Sequence, residues 1–106
     1  MTKLTFIVNK KGFFGFDCQG HSNYSNSGSD IVCAAVSTAV QMTAAYLTKY
    51  YPELVSLVVD DEKAIISLRC ADCFCEFDRQ ISVLVDFAAD LHEQYSDYFT
   101  FDYLEV

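Results

Sequence analysis

Residues 2–8 are rich in strand formers, and apolar and polar positions alternate again over 13–19 (Phe-Phe-Gly-Phe-Asp-Cys-Gln), with the turn signal Asn9-Lys10-Lys11-Gly12 between the two runs. A two-residue period turns one side of each run toward a core, so the pair is predicted to be a hairpin. The next ten residues, Gly20 to Ser29, are small or polar and carry no apolar period, which predicts a mobile surface loop. Ser29 or Asp30 can cap a helix that starts near Ile31 and runs to about Tyr50, where Pro52 forbids continuation. A second hairpin pattern follows in residues 54–59 and 64–69, joined by the acidic turn Asp60-Asp61-Glu62-Lys63. Ile81, Leu84, Val85, Ala88, Leu91 and Tyr95 then recur at helical spacing, opposite Asp86, Asp90, Glu93 and Asp97. Phe99 to Val106 is predicted to be a closing strand.

The order ββαββαβ predicts a single α+β domain over residues 1–106, built as a two-layer sandwich: a mainly antiparallel sheet with two helices on one face. Eighteen residues from Ile31 to Thr48 carry no charge, a length that touches the threshold for a membrane span. Ser37, Thr38, Gln41, Thr43 and Thr48 dilute the stretch, and its alanines suit close packing inside a soluble protein, so no membrane partner is expected.

Charge narrows the choice of ligands. Seven Lys plus Arg stand against fifteen Asp plus Glu, a net −8, which disfavours phosphate backbones and favours basic partners; no direct contact with nucleic acid is expected. The start, Met1-Thr2-Lys3-Leu4-Thr5-Phe6, has no secretory pattern, so the expected location is the cytoplasm. Five cysteines there are reduced thiols rather than a disulfide framework.

Cys33 is the foremost candidate for chemistry. With Asp30 as the cap it is the third helical residue, where free backbone N–H groups and the helix dipole favour a thiolate. His21, at the beginning of the loop, can fold back as its base, since imidazole suits proton transfer near neutrality. Asp30 either caps the helix or orients His21, and Ser37, one turn beyond Cys33, shares its face in a supporting role. Tyr24 can close over a substrate from within the loop. Phe13, Phe14 and Phe16 are mostly core, and His92 reads as solvated surface near a helix end. Cys70, Cys73 and Cys75 offer three soft ligands where a structural zinc site wants four, so no metal or other cofactor is expected, and they read as ordinary thiols in a connecting segment.

The stretch Gly20-His21-Ser22-Asn23-Tyr24, then Gly28-Ser29-Asp30-Ile31-Val32-Cys33-Ala34-Ala35-Val36-Ser37, resembles the pattern G-H-x-x-Y-x-x-x-G-x-D-I-V-C-A-A-V-S of the bacterial ribosomal-processing cysteine proteases called Prp. Ser22 and Ser29 depart from that family, which commonly has a small apolar and an acidic residue there. The resemblance implies a cysteine endopeptidase with Cys33 as nucleophile and His21 as general base and acid, and with Gly20, Tyr24 and Gly28 in a loop that orders over a peptide. The implied substrate is the N-terminal extension of large-subunit ribosomal protein twenty-seven, cut after an aromatic residue, and the implied assembly is a homodimer. Two rival readings remain: with the partner that the resemblance implies, a non-catalytic assembly factor that holds a basic ribosomal protein on the same acidic surface; and, from the C-x-x-C spacing after a strand and before a helix, a thiol-redox or metal protein using Cys70, Cys73 and Cys75.

Overall fold

The computed structural model of the chain describes residues 1–20, 27–71 and 75–106, the side chains of 27–30 excepted. Its elements are β1 (Thr2–Asn9), β2 (Gly12–Gln19), α1 (Ser27–Tyr50), β3 (Val55–Asp60), β4 (Ile65–Cys70), α2 (Cys75–Tyr95) and β5 (Phe99–Glu105). The expected α+β order is therefore present. The strands form one sheet in the order β3-β4-β2-β1-β5. Every neighbouring pair is antiparallel except β1 with β5, which is parallel because the last strand returns to the edge through α2.

The strand register explains which residues meet. Leu4 stands opposite Phe101 on one side and Cys18 on the other; Cys18 faces Ile66, and Ile66 faces Val59. This row and the next, through Phe6, Phe16, Leu68 and Leu57, lie on the face that the helices cover. Leu4, Phe6, Phe16, Leu68 and Phe99 are fully buried there. The apolar stripe of α1 (Val32, Val36, Val40, Ala44, Leu47) and that of α2 (Phe77, Ile81, Leu84, Ala88, Leu91) close over them. By length and composition Ile31–Tyr50 is apolar enough to cross a membrane. Its buried stripe packs against the sheet.

The other sheet face carries polar pairs. Both guanidinium nitrogens of Arg69 donate to Asp17, at 2.8 and 3.0 Å, and Ser67 Oγ donates to the same carboxylate. The Arg69 bonds hold the Asp17 carboxyl below its usual range, against the opposing effect of partial burial. Gly15, next to them, has no room for a side chain: a Cβ would lie 2.6 Å from the Leu68 carbonyl oxygen and 2.9 Å from Arg69 Cδ.

Two helix starts and one environment add to or differ from the sequence reading. The first helix begins at Ser27 instead of near Ile31, because the first four N–H groups of a helix have no internal partner anyway and small polar residues are accepted there. Asp30 is consequently the fourth helical residue and not the cap. Cys33 is the seventh and not the third, so its N–H belongs to the helical hydrogen-bond ladder and is no free donor. The second helix begins at Cys75, with Glu76 and Asp78 suiting the positive end of its dipole and Phe77 extending the buried stripe one turn upstream. His92 is half-buried and not solvated: its Nδ1 lies 2.9 Å from the Phe99 carbonyl oxygen, which makes it the donor of a bond tying α2 to β5.

Candidate active site

A cleft of about 770 Å³ opens between α1 and the β4–β3 side of the sheet. Cys33, Ser37, Gln41 and Ala45 form its helical wall; Cys18, Ile66, Val59 and Leu57 line it from the strands. Gly20 and Ala64 meet at one end, where the Gly20 N–H donates to the Ala64 carbonyl at 3.1 Å. Both have positive φ, +85° and +55°, so the strand ends turn sharply there.

Two thiols line this cleft and their environments separate them. Cys33 is half-buried, on the flank of the α1 stripe, and so reaches both protein and solvent. Cys18 is buried on β2, and burial first, then the nearby Cys33 sulfur, pushes its thiol up to about 11. Cys18 is therefore a protonated, poorly nucleophilic thiol at neutral pH. Cys33 is the accessible one.

Ser37 lies in the cleft wall one turn beyond Cys33, as its spacing implies. Its Oγ accepts a bond from Gln41 Nε2 at 2.7 Å, which leaves the hydroxyl hydrogen to donate. His21 and Tyr24 lie outside the described residues, and Gly28 and Asp30 are placed only as backbone in the first turn of α1. The chain nevertheless leaves β2 at the cleft, because Gly20 lines it and His21 is the next residue. Cys73 also lies outside the described residues, while Cys70 is buried in β4 and Cys75 is exposed at the start of α2. Among the described residues no group of three or more His, Cys, Asp or Glu side chains is placed to hold a metal.

The family model of the cysteine protease Prp matches residues 1–100. The chain belongs to the Prp family. It is accordingly a cysteine protease, and its half-exposed helical cysteine beside a cleft fits that chemistry. Solved structures share its fold. SMU.848 from Streptococcus mutans is 22% identical, with a TM-score of 0.83, over 100% of this chain and 96% of that one. The essential ribosomal processing protease Prp from S. aureus, solved with a substrate peptide, is 19% identical with a TM-score of 0.87, over 98% of this chain and 100% of that one. The same S. aureus protease with a covalently linked product peptide matches at 20% identity and TM-score 0.83, with the same coverage. No curated protein matches the chain.

The cleft-lining apolar residues Leu57 and Val59 were not singled out by the sequence reading, which saw them only as strand positions. Their signal was an apolar run, Leu57-Val58-Val59, on a strand that the topology puts at a sheet edge.

Proposed function

We propose that the chain removes the N-terminal extension of a ribosomal protein, large-subunit protein twenty-seven, by cutting after an aromatic residue with Cys33 as nucleophile and His21 as its proton carrier. The observation that carries this reading is Cys33 itself, the accessible thiol in the wall of a peptide-sized cleft. Family membership, the S. aureus relative solved with a substrate peptide, and a net charge of −8 suited to a basic ribosomal protein support it.

In this mechanism His21 takes the Cys33 proton and the thiolate attacks the scissile carbonyl. His21 then protonates the leaving amine, and water hydrolyses the thioester to release the N-terminal fragment. Ser37 supplies a hydroxyl donor to the bound peptide, while Tyr24 belongs to the segment between β2 and α1 that covers it, Gly20 and Gly28 stand at the two ends of that segment, and closure on substrate completes the dyad. Asp30, in the first turn of α1, is the residue assigned to orient His21 in the manner of a third triad member. No metal or cofactor takes part. The chain acts as a cytoplasmic homodimer without direct contact to nucleic acid.

The test is incubation of the purified chain, and of its Cys33→Ala and His21→Ala variants, with a peptide spanning that extended N-terminus, read by mass spectrometry. Cleavage at one bond after an aromatic residue, by the unmodified chain alone, is the expected result. Cleavage by Cys33→Ala, or none by the unmodified chain, refutes the assignment. Sedimentation at twice the mass of the 12.0 kDa chain checks the dimer.

A further inference from the structure

The cleft is much longer than a site for one side chain. Four residues, Tyr51 to Leu54, join α1 to β3, so the strand runs back along the helix. Cleft-lining positions on α1 extend from Cys33 to Lys49, sixteen residues or about 24 Å at the helical rise. At about 3.3 Å per residue that length accommodates roughly seven residues of extended peptide.

Beyond the nucleophile the lining becomes apolar. Leu57 and Val59 point to the helix side of the sheet, yet they are 40% and 56% exposed. Opposite them α1 presents the small side chains Ala44 and Ala45, between Gln41 and Thr48, which leaves room over the two strand residues. Ala45 is twelve residues from Cys33, about 18 Å, which is the reach of roughly five extended residues. The free edge of β3 is the competing place for a peptide. A strand added there would lie three strand spacings, about 14 Å, from β2 and its Cys18, the neighbour of Cys33, and so away from the nucleophile. The cleft itself keeps the peptide within reach of the sulfur.

From this geometry we infer that the cleft holds a second specificity subsite, formed by Leu57, Val59 and Ala45, for an apolar side chain about five residues from the scissile bond. The inference rests on the proteolytic reading above. Its occupant is an extended segment of the substrate, whose basic character the acidic turn Asp60-Asp61 beside the subsite complements.

The experiment measures kcat/KM for the full chain and for Leu57→Glu on peptides carrying Leu, Ala or Lys at the fifth position on either side of the cut. For the unmodified chain, replacing Leu by Ala on one side lowers kcat/KM about tenfold. Leu57→Glu reverses the preference, so that the Lys peptide becomes its better substrate; Val59→Lys, a second variant, favours Glu there. An unchanged rate of Cys33 alkylation shows that each variant is folded. Equal kcat/KM for all peptides by the unmodified chain overturns the subsite and leaves the protease assignment intact. Failure to cut any peptide overturns the assignment and the subsite with it. A variant whose oligomeric state changes while its peptide preference stays the same assigns these residues to a subunit contact and refutes the subsite.

Discussion

Replacing Cys18 by Ala has a consequence that can be worked out from its surroundings. Burial and the adjacent Cys33 sulfur raise the Cys18 thiol to about 11, against 9.0 for an unperturbed one. A thiol whose folded value is raised adds stability that is complete below the unfolded value and is lost as pH climbs through the folded one. The two values differ by 11 − 9.0 = 2, which at about 1.4 kcal/mol per pKa unit is worth about 3 kcal/mol. At pH 10.5 about 2 kcal/mol of it is already lost. Urea denaturation of the unmodified chain and of Cys18→Ala, at pH 8 and pH 10.5, isolates this contribution from that of other titrating groups. The unmodified chain should lose about 2 kcal/mol more than the variant between these pH values. Equal losses would show that Cys18 ionises freely in the folded protein, and would remove the distinction between the two cleft thiols. The same ionisation leaves about one Cys18 in a thousand as thiolate at pH 8, so mass mapping after brief alkylation should find Cys33 modified and Cys18 untouched.

Other consequences are simpler to state. Leu47→Ala opens a cavity under the last turns of α1, where Leu47 is fully buried, and should cost about 3–5 kcal/mol by denaturant titration. Arg69→Met removes the two-bond grip on Asp17 and should cost roughly 1 kcal/mol near neutrality, a modest figure because both side chains are partly exposed. Because that grip holds the Asp17 carboxyl below its ordinary 3.8, the difference between variant and parent should persist above that value and shrink as pH falls through it. Ala64→Gly relieves a left-handed conformation that costs an alanine about 1 kcal/mol, so its melting temperature should match or exceed that of the parent.

Element order was legible because each segment carries its own period. Ile81, Leu84, Ala88 and Leu91 can bury one side only as a helix, and the structure buries all four. The start of α1 was not legible, since Ser27-Gly28-Ser29 has low helical propensity and its place in a first turn depends on the turns that follow. That shift matters for the site: it moves Cys33 away from the free N–H groups of the helix end. The motif from Gly20 to Ser37 identified the family, which the match over residues 1–100 shows. His92 was misread because its carbonyl partner, Phe99, lies on a strand that only the folded chain brings beside it. The cleft was invisible in the sequence for the same reason, because Leu57 and Val59 reach Cys33's side of the sheet only through the order β3-β4-β2.

The central claim is that Cys33 forms a covalent bond to the peptide it cuts. Rapid acid quenching of the chain mixed with the ribosomal-protein peptide, followed by intact-mass measurement, tests it directly. The account predicts a species heavier by the N-terminal fragment less one water, mapped to Cys33, and no such species with Cys33→Ala. An adduct on another residue, or steady cleavage by Cys33→Ala, would contradict it.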